Sequence, residues 1–261
     1  MAELAARPLR PLASAERHHR SSERYSLILR EDPELADGLS RADREIATRL
    51  FRARVIQADP GLWQPPLLDA QTAFGLLVLD GLIGRRTRVG PGTATDVIGA
   101  GDVLRPWEAD AWDPVSPEVE WRAFQLTRLA VLDGRITRLI GQRPELVVAF
   151  SGRLLRRVRA AQYLRAVGSL ARVEPRLLGT LWHLASNWGV VTPRGVRIPY
   201  RLSQVVLAEM IGARRPSVSS AVARLKARGE LACEGSGCYI LTGDPYDWAT
   251  DLNDLDVIGA S

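Results

Sequence analysis

Residues 202–231 read LSQVVLAEMIGARRPSVSSAVARLKARGEL, two helical periods punctuated by glycine. Val206, Leu207, Met210 and Ile211 recur at helical spacing, Ser203 stands where a cap belongs, and Gly212 supplies a left-handed stop. A second helix follows. Its Pro216 suits a first turn, because the missing N–H would be unpaired there and the ring presets a helical φ. Val218, Val222 and Leu225 make its inner face, and Gly229 ends it. Upstream, Leu177, Leu178, Leu181, Trp182 and Ala185 predict an amphipathic helix over 174–188, closed by Gly189, and VVTPRGVRI reads as a hairpin. Downstream, LACEGSGCYILTG reads as two strands around a Gly-Ser-Gly turn. Helix, tight turn, helix and β-hairpin is the order of a winged helix-turn-helix.

The start of the second helix carries the chemistry. Arg214 and Arg215 project from the turn with the guanidinium forks that best match phosphates and guanine edges. Ser217, Ser219 and Ser220 are short, so they let the helix end approach a nucleic-acid backbone and donate to phosphate oxygens. Arg224, Lys226 and Arg228 face solvent or that backbone, and Ser203 and Gln204, which open the preceding helix, are also expected to contact it. A three-helix packing unit that binds nothing shares the order of elements. Charge fits an arginine-rich solvated surface as well as a polyanion partner, and only together with the basic helix start does it favour DNA: the chain carries +5, but residues 141–240 hold 16 basic and 5 acidic residues, a net +11. A concentrated basic domain is the electrostatic footprint of a polyanion partner.

The rest of the chain changes texture twice. Residues 1–24 lack periodicity and read as a mobile arm. From Pro33, Leu35, Leu39, Ile46 and Leu50 predict a short helical stretch. Between Val55 and Leu132, short apolar runs broken by Gly, Pro and Asp predict strands of an antiparallel barrel or jelly roll. After Pro144, Val147, Leu154, Val158 and Ala161 mark a long helix whose apolar stripe suits a dimer seam. The expected organisation is therefore an arm (1–24), a β-roll (25–142), a connecting and dimerisation helix (143–172), a winged helix-turn-helix (173–248) and a tail (249–261). No run approaches the roughly 18 apolar residues of a membrane span. The first residues lack the apolar core of a signal sequence, and two cysteines make no disulfide framework. A cytoplasmic protein is expected.

Residues 202–231 resemble the DNA-binding motif of the Crp/Fnr family of bacterial transcription regulators. FGLLVLDGLIG resembles that family's strand ending in a glycine turn, IGAGDVL its Gly-Asp turn, and LTRLAVLDGRITRLIGQRPELVVAF its last barrel strand and connecting helices. The resemblance implies an α+β chain with an N-terminal β-roll, or jelly-roll, sensor domain of cyclic-nucleotide-binding type, a long dimerisation helix and a C-terminal winged helix-turn-helix. It implies a homodimer on a palindromic operator, with double-stranded DNA, a second copy of the chain and RNA polymerase as the partners such a regulator takes. Arg215 matches the family's arginine at the start of the recognition helix, and Ser217 and Val218 its Thr/Ser-Val pair. Two positions depart from the pattern. Pro216 stands where many members have a base-reading glutamate and Ser220 where many have an arginine, so the familiar operator is not implied.

The sensor departs further. Cyclic-nucleotide members resemble one another in a Gly-Glu then Arg-Ser or Arg-Thr cassette that neutralises the cyclic phosphate. The matching region here is GDVLRPWEADAWDPVSPEVEWRAF, acidic and without Gly-Glu. Arg105 and Arg122 are the only substitutes near it, and surface or structural roles compete for both. Trp107, Trp112 and Trp121 would line an effector pocket or, as is usual for β-domain tryptophans, belong to the core. The histidines, His18, His19 and His183, form no cluster in the barrel, so neither a haem, an iron–sulfur centre nor a metal-dependent barrel enzyme is expected. No cofactor and no catalysis are predicted, and the effector stays unidentified. Cys233 and Cys238 flank the wing turn and are expected to be reduced, though a pairing across the hairpin is open. The competing reading is a ligand-binding β-barrel protein whose C-terminal domain contacts other proteins; steep salt dependence of DNA binding would separate the two.

Overall fold

The computed structural model describes residues 25–107, 116–235 and 237–245. It falls into two compact units that divide within one long helix, at Gln162 and Tyr163.

The first unit opens with β1 (Tyr25–Leu27), α1 (Ile28–Glu31), a 3-10 turn (Pro33–Ala36) and α2 (Arg41–Leu50). Eight strands follow: β2 (Arg52–Ala58), β3 (Gly61–Leu62), β4 (Gly75–Asp80), β5 (Leu82–Val89), β6 (Gly92–Gly99), β7 (Val103–Leu104), β8 (Glu118–Ala123) and β9 (Thr127–Leu132). Then come α3 (Gly134–Gly141) and the long α4 (Pro144–Gly168). The strands make two antiparallel sheets, ordered β1-β2-β9-β4-β7 and β3-β8-β5-β6.

The continuous apolar runs of β4 and β9 have a physical reason: both faces are covered. Leu76, Val78, Leu129 and Val131 point into the core with Ile83, Ile98, Leu104 and Ala123. The alternate residues Leu77, Ala130 and Leu132 face Ile28, Leu35, Phe51, Ile136, Leu146 and Phe150 of the covering helices. Period-two alternation thus feeds two apolar layers from one strand. The expected helical stretch from Pro33 is broken. Leu35 and Leu39 are buried, but Ser40 restarts the chain as the cap of α2, its hydroxyl accepting from the Asp43 N–H. Ile46 and Leu50 consequently face outward, 52% and 43% exposed, where their spacing had predicted an inner face.

Charge fixes α4 on this unit. Arg153 is 7% exposed, and its Nη2 lies 2.6 Å from Asp32 Oδ1 and 3.3 Å from Glu34 Oε2. One turn on, Arg157 pairs with Asp96, reaches Asp102 at 3.2 Å and donates to the Val97 carbonyl at 3.4 Å. Burial pushes the Asp102 carboxyl above the usual carboxylate range, against the opposing pull of Arg157 and the Gly99 N–H.

The second unit contains α5 (Val173–Trp188), β10 (Val190–Thr192), β11 (Gly195–Arg197), α6 (Gln204–Met210), α7 (Arg215–Ala227), β12 (Leu231–Cys233) and β13 (Tyr239–Leu241). Its sheet runs β10-β11-β13-β12. Leu177, Leu181, Leu184, Leu207, Val218, Leu225 and Leu241 are all buried and supply its core.

Removing one member of a buried ion pair strands its partner in a low dielectric. Arg153→Ala is therefore expected to destabilise the first unit by about 3–5 kcal/mol in urea unfolding. Arg159→Ala, at an exposed position of the same helix, should stay within about 0.5 kcal/mol.

Candidate nucleic-acid interface

The turn between α6 and α7 is built by local chemistry. Ser203 caps α6, its hydroxyl accepting from the Val206 N–H at 3.3 Å. At the far end Gly212 takes φ +62°, and the Ala213 N–H closes back on the Ala208 carbonyl at 2.9 Å. This is the long-range bond of a Schellman stop, which calls for a residue without a β-carbon penalty. Three residues on, α7 begins with Arg214 as its extended N-cap, and Pro216 sits in its first turn. No side chain caps this start.

The two faces of α7 separate cleanly. Val218, Ala221, Val222 and Leu225 are buried, at the i, i+3, i+4, i+7 spacing of a core stripe. Arg214, Arg215, Pro216, Ser219, Ser220 and Arg224 are exposed, and Ser217 is half-buried. Ser203 is exposed and committed to its cap, with Gln204 half-buried beside it. Every residue expected to face DNA thus lies on α7 or at the start of α6. One of them has an unforeseen partner: the Arg224 Nε pairs with Glu174 in the first turn of α5. Sequence offered no signal for that contact beyond a lone acid opening a helix in a basic stretch.

The wing is a true hairpin, with the Glu234 N–H donating to the Cys238 carbonyl at 2.9 Å. Its register sets Cys233 opposite Tyr239, so Cys233 and Cys238 are not cross-strand partners and both are free. Burial pushes the Cys233 thiol above its ordinary value, outweighing the lowering effect of Lys226.

The roll residues named as an effector pocket are spread among structural tasks. Arg105 is a staple: its guanidinium donates to the carbonyls of Ala73 at 2.6 Å, Phe74 at 3.1 Å and Ala70 at 2.9 Å, and it lies over the Trp107 ring at 5.8 Å. Arg122 is exposed, 4.0 Å from Glu120. Trp107 and Trp121 pack against the inter-sheet core, Trp121 meeting Trp63 edge-on at 6.3 Å. The Phe124 ring occupies the space that a β-carbon on Gly84 would need. Trp112 lies outside the described residues. Among the described residues no group of three His, Cys, Asp or Glu could hold a metal ion, and no helix is long and apolar enough to cross a membrane.

Along α4 the expected seam is exposed: Val147 is 40%, Leu154 36% and Val158 54% accessible, and Ala161 is open as well. Val148 and Leu155, not singled out by the spacing argument, are more exposed still at 71% and 55%.

The described residues thus combine a double-sheet roll, a long helix and a winged helix-turn-helix. Residues 175–243 match the Crp-like helix-turn-helix domain family. A "CRP-like cAMP-activated global transcriptional regulator" of Mycobacterium tuberculosis is 27% identical over 159 residues, 60% of this chain and 70% of that one. A transcriptional regulator of the CRP/FNR family from Thermus thermophilus superposes with a TM-score of 0.54 at 17% identity, over 76% of this chain and 97% of that one. FixK2 from Bradyrhizobium japonicum superposes with a TM-score of 0.59 at 13% identity, over 76% and 96%. The chain thus carries a stretch that matches a Crp-like helix-turn-helix domain, and its fold is like that of these solved regulators.

Proposed function

We propose that this protein is a transcription regulator that binds DNA as a homodimer, each α7 entering one major groove of a palindromic operator. The observation that carries the reading is the start of α7. Two exposed arginines and short hydroxyls surround a helix N-terminus without a side-chain cap, and the opposite face is buried. Such an end offers unpaired N–H groups and a positive dipole to phosphate, with guanidinium forks for base edges. Arg214 and Arg215 make the main contacts, and Ser217, Ser219 and Ser220 seat the helix on the backbone. The outward stripe of α4 supplies the dimer seam, because exposed valines and leucines at helical spacing gain by burying one another. RNA polymerase is the partner through which such a regulator would act.

The effector, if the roll takes one, is not a cyclic nucleotide. The relative from M. tuberculosis is cAMP-activated by name. In this chain, Arg105 is committed to three carbonyls. Arg157 is committed to two carboxylates, and those acids would repel a cyclic phosphate.

Three outcomes follow. Arg215→Ala should weaken binding to a selected operator by roughly 1–3 kcal/mol in a gel-shift titration, with the dimer intact by sedimentation; unchanged affinity would remove α7 from the interface. Val158→Glu should shift the sedimenting species toward monomer, since a charge on the seam must be desolvated when two copies meet. Calorimetric titration with cyclic AMP should give no saturable heat, and tight binding would overturn the account of the roll.

A further inference from the structure

The Glu174–Arg224 pair is the contact the DNA-binding reading leaves unused. Ser217, Ser220 and Arg224 fall at i, i+3 and i+7 along α7, so they share one stripe beside the buried Val218, Ala221, Val222 and Leu225. The pair straddles the surface: the Arg224 side chain is 55% exposed and that of Glu174 10%. Glu174 is itself held from two sides. It stands in the first turn of α5, where a helix start favours an anion, and its carboxylate accepts from its own backbone N–H as well as from Arg224. Burial pushes this carboxyl up, but that N–H, the Arg224 guanidinium and the charge of Arg172 outweigh it and hold it below the ordinary carboxylate value. It is ionised wherever the protein would meet DNA near neutral pH.

A carboxylate beside a DNA-facing stripe repels phosphate, so its presence there calls for a compensating task. The guanidinium supplies one. It is a rigid planar fork, and fixing Nε on a buried acid restricts the plane of a side chain that is still 55% exposed. We propose that Glu174 is a positioning residue for DNA binding: it orients Arg224 so that its Nη groups contact a backbone phosphate along the stripe of Ser217 and Ser220. The inference rests on α7 being the DNA-facing helix. Arg224 becomes a preorganised contact, and its long side chain loses less rotamer freedom on binding than an untethered arginine would.

Charge alone and positioning predict opposite signs for one substitution. Glu174→Gln removes a negative charge near a polyanion, so an electrostatic bystander should give tighter DNA binding. Positioning gives weaker binding instead, by about fivefold, and equally for a selected operator and a random-sequence duplex, because a phosphate contact carries no sequence information. The experiment is a gel-shift titration of the full-length protein, with circular dichroism and thermal melting verifying the fold of each variant. Arg224→Ala should weaken both duplexes similarly and lower the slope of log K against log salt by about one. In the Arg224→Ala background, Glu174→Gln should have no further effect. Arg224→Lys keeps the charge and loses the fork; it should bind more weakly than the wild type though more tightly than Arg224→Ala, and it tests the idea even if Glu174→Gln fails to fold. Equal or tighter binding by Glu174→Gln, an undiminished effect of it without Arg224, or wild-type affinity in Arg224→Lys would each overturn the assignment. If the wild-type protein retains no duplex at any salt concentration, the reading of α7 itself fails instead.

Discussion

Two arginines one helical turn apart hold α4 against the roll, and much of the first unit is arranged around their neutralisation. A guanidinium as buried as Arg153 is tolerable only beside an acid, and Asp32 and Glu34 provide two. Those acids come from the junction of α1 with the 3-10 turn and from the turn itself, more than a hundred residues away in sequence. Arg157 draws its partners from β6 and the turn before β7. Apolar packing of Leu146 and Phe150 would bring α4 to the roll but would tolerate some sliding. Directional ion pairs at two successive turns are less forgiving, so they assign the helix one rotation and one register. That rotation leaves Val148, Leu155 and Val158 outside. The seam proposed for a second copy is thus a consequence of where the charges are buried.

The same pairs limit what the roll can accommodate. A small anionic effector needs a cation that is not already satisfied, and Arg105, Arg153 and Arg157 each serve the chain's own carbonyls or carboxylates. The space between the sheets is also claimed by side chains. Trp63, Trp107 and Trp121 pack on the core, and Phe124 fills the gap at Gly84. Gly84 is tolerated in the middle of β5 because the ring from the neighbouring chain segment needs that volume. The roll keeps its double-sheet shape, and Arg105, Arg153 and Arg157 are engaged in holding it together.

What could be read in advance follows the range of each interaction. The α6–turn–α7 element was legible because each of its signals is local: Ser203 caps the residue three on, Gly212 ends the same helix, and Pro216 starts the next. The strands of the roll were legible through their turn residues. The orientation of α2 was not, since the spacing of Leu35, Leu39, Ile46 and Leu50 assumed one helix where Ser40 begins a second. Arg153 and Arg157 stand four apart in the sequence, yet nothing near them names the acids they meet. Glu174 had the same difficulty. An acid opening a helix is ordinarily explained by the helix dipole, and only folding reveals that it also faces Arg224 fifty positions along. The tryptophans were ambiguous for another reason: lining a pocket and filling a core demand the same residue type.

The composition of the exposed face of α7 bears on how such a protein would discriminate among DNA sequences. Its long polar side chains near the start are Arg214 and Arg215, and the positions around them are proline and serine. A helix with few long side chains has few ways to make the bidentate base contacts worth about 1–3 kcal/mol each. Meanwhile the net +11 over residues 141–240 would attract any duplex. Specificity is the difference between those two terms, so it depends more on the exact seating of two arginines than it would in a helix with a fuller set of base-reading groups. Anything that rocks α7 by a fraction of a turn would move Arg214 and Arg215 off their base edges while leaving phosphate attraction almost unchanged.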